Sequence, residues 1–118
     1  MRRPTTLTRE QTITTTTITF PALTPSQVVK FDYYLRTILW EETLPNNVKH
    51  ASFEVHRLKA RIPVQDGRML LIQGVRNIYD TNESKGVPGS NEEAKLVLIG
   101  KGVDQEVLKE ALLETLRE

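Results

Sequence analysis

The alternation of apolar and polar positions changes period along this chain, and each change marks an element. The stretch TITTTTITF (12–20) is so dense in β-branched residues that it predicts a strand. Its apolar parity shifts, because Ile13 lies with the odd positions while Ile18 and Phe20 lie with the even ones, and a bulge or a frayed edge is expected. LTPSQVV then opens a helix. Thr24 can cap it, Pro25 suits the first helical position, Gln27 can return the capping-box bond and Leu23 can staple against Val28. Val28, Phe31, Leu35, Ile38 and Leu39 recur at helical spacing through about Glu42, and LPNN (44–47) ends the run.

From there the period is two. FEVHRLKARIPV (53–64) puts Leu58, Ala60, Ile62 and Val64 on one side and Arg57, Lys59 and Arg61 on the other, the pattern of a strand with one buried face. QDGR predicts a tight reversal into MLLIQGVRNIYD (69–80), read as one strand kinked at Gly74 or as two short ones. TNESKGVPGSNEE (81–93) is polar and bears Gly and Pro, so a long loop is expected. AKLVLIG (94–100) has the composition of a short strand buried on both faces. Asp104 then caps a final helix whose inward stripe is expected to be Val107, Leu108, Ala111, Leu112 and Leu116. The order is β-α-β-β-(β)-β-α, which predicts an α+β two-layer sandwich: an antiparallel-rich sheet of four or five strands with both helices on one face.

Composition narrows the function classes. A chain of 118 residues is one domain by length, here 12–118 preceded by a polar, Thr-rich arm or linker over 1–11 expected to be flexible. Its head, MRRPTTLTRE, lacks the apolar core of a secretory signal, and an organellar targeting stub is the alternative reading of its arginines. A formal charge of +1 supplies no global field for nucleic acid or anionic membrane. The absence of cysteine removes disulfides, thiolate metal sites and cysteine nucleophiles, and is compatible with the expected cytoplasmic location. No apolar run approaches the ~18 residues of a bilayer span.

Catalytic chemistry is not advertised. There is no G-x-x-x-x-G-K-[ST] loop, and GVPGSNEE lacks the lysine and the strand-to-helix setting of a phosphate cradle. His50 and His56 would lie nearly 20 Å apart on an extended strand at ~3.3 Å per residue, too far to share a metal. No nucleophile stands at a defined spacing from a base. The cation row Arg57, Lys59, Arg61 has two readings, a contact surface for an acidic partner or phosphate and the solvated face of a charge-protected strand. That strand offers none of the aromatics that single-stranded RNA recognition would use. Trp40 and the pair Tyr33/Tyr34 are expected to pack at the edge of the first helix; an exposed Trp40 would indicate a docking surface. Gln73 and Gly74 either receive a neighbouring backbone or form a plain glycine bulge.

The ordered set FDYYLRTILWE, EVHRLKARIPV, MLLIQGVRNIYD and LVLIGKGVD resembles the C-terminal domain of the CobW family of GTP-dependent metal chaperones, over about residues 12–117. That domain carries, in order, a helix ending in L-L-W, an R-x-K-G strand, a V-x-Q-G-V strand running into Y-D, and an L-V-x-I-G-x-x-L-D approach to the last helix. Ala60 stands where the family usually has the glycine of R-x-K-G. Arg76 stands where many members have a histidine, which removes a metal ligand. The resemblance implies a parent protein with a P-loop GTPase domain that uses GTP and magnesium to load zinc or a related metal into a client metalloprotein. This chain would be its accessory, non-catalytic half, with no cofactor or metal of its own. The implied partners are the CobW-type GTPase domain, in cis or in trans, the client, and a second subunit in a homo-oligomer; neither membrane nor nucleic acid is expected. The alternative is a small nucleic-acid-binding α+β module using the basic strand face. Residues carried by motif are Arg57, Lys59, Gln73, Gly74, Tyr79, Asp80, Gly100 and Asp104. Arg57, Lys59, Arg61, Gln73 and Arg76 are the candidate contacts, and Gly74, Tyr79, Asp80, Gly100 and Asp104 are expected to be structural.

Overall fold

The computed structural model describes residues 12–41, 53–87 and 91–117. The expected arm over 1–11, the LPNN terminator and His50 lie outside the described residues. Five strands, β1 (Ile13–Phe20), β2 (Glu54–Pro63), β3 (Arg68–Val75), β4 (Ile78–Lys85) and β5 (Ala94–Lys101), form one antiparallel sheet in the order β1-β5-β2-β3-β4. Helices α1 (Pro25–Arg36) and α2 (Gln105–Leu116) cover one face, so the α+β two-layer expectation holds with five strands. The core is built from the even positions of the sheet, among them Ile18, Leu58, Ile62, Leu96 and Leu98, packed against Phe31, Leu35, Leu108 and Leu112 of the helices.

Local chemistry fixes the helix ends. The Thr24 side chain accepts from the Gln27 N–H at 3.3 Å, and the Gln27 side chain accepts from the Thr24 N–H at 3.0 Å, closing the capping box. Gln27 also donates through Nε2 to the Leu116 carbonyl at 2.9 Å, tying the start of α1 to the end of α2. Thr24→Ala is expected to cost about 1 kcal/mol, read as a lower denaturant midpoint at unchanged m-value. Asp104 caps α2 by accepting from the Val107 N–H at 3.0 Å. Beyond Arg36 the first helix widens into a π-helical turn over Thr37–Glu41, and this turn carries Trp40.

Several expectations are corrected. β1 pairs with β5 residue for residue without a bulge, and Ile13 is simply exposed on the open face at the strand's end. Of the two readings of 69–80 the one with two strands holds: β3 runs straight through Gly74 in both ladders without a kink, the reversal comes at Arg76 and Asn77, and Arg76 takes a left-handed φ of 58°. Residues 81–85, expected in a loop, are strand: β4 pairs along its whole length with β3 but buries almost nothing, so its polar sequence carries no apolar alternation. β5 is buried on one face only, with Lys95 exposed and Val97 and Ile99 half-buried on the other. In α2, Val107 points outward, and the buried valine is Val103, just before the cap.

Tyr34 belongs to the core rather than to the helix edge. It is fully buried, and its hydroxyl donates to the Leu108 carbonyl at 2.8 Å. Burial pushes its phenol well above the ordinary tyrosine range, and Tyr79 moves the same way through desolvation and then its bond to Asp32. The folded pKa is the higher one, so the unfolded chain loses these protons first, and stability falls as pH rises above about 10. Tyr34→Phe is expected to shallow that alkaline loss while costing about 1 kcal/mol at neutral pH, measured by urea unfolding across pH 8–11.

Candidate interaction surface

The helices cover one face of the sheet and leave the other open. Past the ladder shift next to His56, strand alternation assigns Arg57, Lys59 and Arg61 of β2, Leu71, Gln73 and Val75 of β3, and the odd positions of β5 to this open face. Register then aligns them in rows. Lys59 lies between Val97 of β5 and Gln73 of β3, and Gln73 is itself opposite Asp80 of β4. On either side, Arg61 lies between Lys95 and Leu71, and Arg57 between Ile99 and Val75. The face is therefore a cation ridge along the central strand β2 with an apolar row on each flank. Leu71, Val75 and Ile78 are 42%, 56% and 72% exposed, a large apolar area to leave in water.

Two depressions lie side by side across this face. One, of about 790 Å³, spans Arg57, Lys59, Val75, Ile78 and Ile99; the other, of about 390 Å³, spans Lys59, Arg61, Leu71, Lys95 and Val97. Arg57, Lys59 and Lys95 make no ion pair or side-chain hydrogen bond within the described residues, whereas Arg61 is paired with Glu92 from the segment leading into β5. No aromatic side chain stands on the open face among the described residues.

The remaining motif residues sit around this surface. Arg76, 63% exposed in its side chain, is at the rim, with its amide donating to the His56 carbonyl at 2.9 Å and its guanidinium 3.9 Å from Glu54. Glu54 also accepts from His56 Nε2 at 3.2 Å, and this bond, with Lys101 and Arg76 nearby, holds its carboxyl below the usual range. A ladder shift between Val55 and Arg57 places His56 at an irregularity of β2. Tyr79 points to the helix face and donates to Asp32 Oδ1 at 2.6 Å; Trp40, 56% exposed, lies with its ring centroid 6.3 Å from that of Tyr79, the planes tilted by 44°, and donates through Nε1 to the Asn77 carbonyl at 2.7 Å. The β3–β4 turn is thus held from both sides. Gly100 allows β5 to pass the start of β2: a Cβ there would lie 1.9 Å from the Glu54 carbonyl oxygen.

Sequence reasoning found the cation row and Gln73 but missed Lys95, Val97 and Ile99, because AKLVLIG was read as buried on both faces. The signal was present in Lys95, an odd-position lysine in register with Arg61. Among the described residues no group of three or more His, Asp or Glu gathers that could hold a metal; His56 is bonded to Glu54, and Arg76 adds a cation beside the same carboxylate. No described helix is long and apolar enough to cross a membrane.

With this geometry in view, comparison with known proteins is decisive for family. The model of the cobalamin synthesis protein cobW C-terminal domain matches residues 25–116. The chain belongs to the CobW C-terminal domain family. It is 42% identical over 66 residues to zinc-regulated GTPase metalloprotein activator 1 of Saccharomyces cerevisiae, covering 54% of this chain and 15% of that protein. Among solved structures it resembles the Zn(II)-bound YjiA GTPase from E. coli with a TM-score of 0.62 and 17% identity, over 90% of this chain and 30% of that one. A Zn(II)-bound triple mutant of the same GTPase gives the same values. At that identity the structural likeness speaks for the CobW C-terminal fold alone. The chain spans only a minor part of each relative's length.

Proposed function

We propose that this CobW C-terminal domain is the accessory interaction domain of a GTP-dependent metallochaperone. It carries out no phosphoryl transfer. It docks through its open sheet face on a CobW-type GTPase domain, in cis or in trans, and helps hold the client metalloprotein or a second subunit while zinc or a related metal is delivered as cargo. GTP and magnesium belong to the partner domain, and the setting is cytoplasmic.

The observation that carries this reading is the open face itself: Arg57 and Lys59, without a partner among the described residues, stand between an exposed apolar row on β3 and a half-buried one on β5 of an otherwise well-packed domain. Central strands that hold cations and large aliphatic residues in water gain by being covered. The family and the word GTPase in the names of both relatives supply the kind of parent.

The test is phosphate release. The isolated chain is expected to hydrolyse no GTP, and adding it to the GTPase half of the yeast activator is expected to change that half's turnover in a saturable way. Hydrolysis by the chain alone, or turnover indifferent to it at every concentration, would count against the proposal. Retention of the chain by a single-stranded oligonucleotide in a salt-dependent manner would favour the nucleic-acid reading instead.

A further inference from the structure

We propose that the occupant of the open face is an acidic amphipathic helix of the partner protein, laid along β2 with its carboxylates over the cation ridge. This rests on the docking role proposed above and names the chemistry of what docks.

The backbone excludes an extended peptide. β5, β2 and β3 are interior strands, each paired on both sides, so their N–H and C=O groups are already used. A strand laid on this face would leave its own backbone unpaired, whereas a helix satisfies its backbone internally. The dimensions agree. From the level of Arg57 to that of Arg61 is four residues of strand, about 13 Å at ~3.3 Å per residue, which is matched by about nine helical residues at 1.5 Å each. Successive cations on β2 are roughly 6.7 Å apart, close to the ~6 Å rise between helical positions i and i+4. The apolar rows flank the ridge at one strand spacing, about 4.8 Å on either side, within reach of aliphatic side chains next to the acidic stripe of a helix roughly 10 Å wide.

Charge gives the sign of the partner. Arg57, Lys59, Arg61 and Lys95 face outward here against Asp80 on the neighbouring edge strand. Besides Asp80 the chain supplies Glu92, which is paired with Arg61 at one end of the ridge. Glu92 thus occupies a position that the partner's acidic stripe would share, and it acts as a mild internal competitor.

The test uses defined peptides read by fluorescence anisotropy against the full chain. The probe is a labelled helical peptide of about 14 residues with glutamates at every fourth position and leucines alongside, compared with its glutamine analogue and with a thymidine oligonucleotide. The expected result is saturable, salt-sensitive binding of the glutamate peptide, at least about tenfold weaker for the glutamine analogue. Glu92→Gln should tighten binding about twofold to fivefold by freeing Arg61, the scale of one exposed ion pair. Arg57→Glu should weaken it at unchanged circular dichroism. Equal binding of the two peptides, no binding of either, or preference for the oligonucleotide overturns the inference. Binding of a GTPase half with no binding of the peptides would sink this inference alone; the reverse would leave it standing and sink the docking role.

Discussion

Gly100→Ala is expected to lower the melting temperature by about 10 °C or more, the scale of a loss of roughly 3 kcal/mol in a domain of this size. Gly100 lies opposite Thr14 on one side and Val55 on the other, in the strand that joins β1 to the rest of the sheet. An alanine Cβ would stand 1.9 Å from the Glu54 carbonyl oxygen and 3.0 Å from the Val55 Cα, both backbone atoms that no rotamer change can move. Relief requires β2 and β5 to part exactly where the ladder already shifts register, next to His56. Gly74→Ala, whose Cβ would meet the Tyr79 Cβ at 2.8 Å, should be milder because it strains a hairpin near the sheet edge. Thermal unfolding by circular dichroism separates the two, and a Gly100→Ala domain that melts like the parent would show that the strands do not approach as described.

The second large effect is on binding. The double reversal Arg57→Glu with Lys59→Glu is expected to reduce affinity for a CobW-type GTPase half by about a hundredfold, since two desolvated like-charge contacts replace two attractive ones. Both side chains are exposed and make no bond within the described residues, so the melting temperature should stay within a few degrees of the parent's. The same reversal on the helix side, at Lys30, which donates to the Arg117 carbonyl, should leave affinity unchanged. An equal loss at both places would mean that net charge, and not the open face, governs association.

How much of this was readable in the sequence depended on whether an element buries one face. β2 does, and its strict alternation gave both its core residues and the cation row. α1 announces itself by a capping box that the structure closes, and both helical stripes were legible except at Tyr34, a core residue expected at the edge of α1, and at Val107, where an apolar residue on the flank of α2 points to water. β4 was legible only at its start, Ile78 to Asp80, because it buries almost nothing: its pairing is imposed by β3 and by the turn at Arg76 and Asn77, and neither leaves a hydrophobic period in IYDTNESK. The candidate surface was legible only by half for a related reason. Val97 and Ile99 face open water at one side of an apolar strand, and a run of apolar residues does not say that one of its two faces lacks a cover. The placement of Trp40 depends on a π-helical turn that rotates it toward Asn77, a local widening with no sequence period of its own.

The central claim is that this domain docks on a GTPase domain through its open face. Calorimetric titration of the chain into the GTPase half of a CobW-type protein, loaded first with GTP and then with GDP, with and without zinc, tests it most directly. The account predicts binding whose affinity differs between the two nucleotide states and is lost on reversing Arg57 and Lys59. Absence of binding in every nucleotide and zinc state would contradict it.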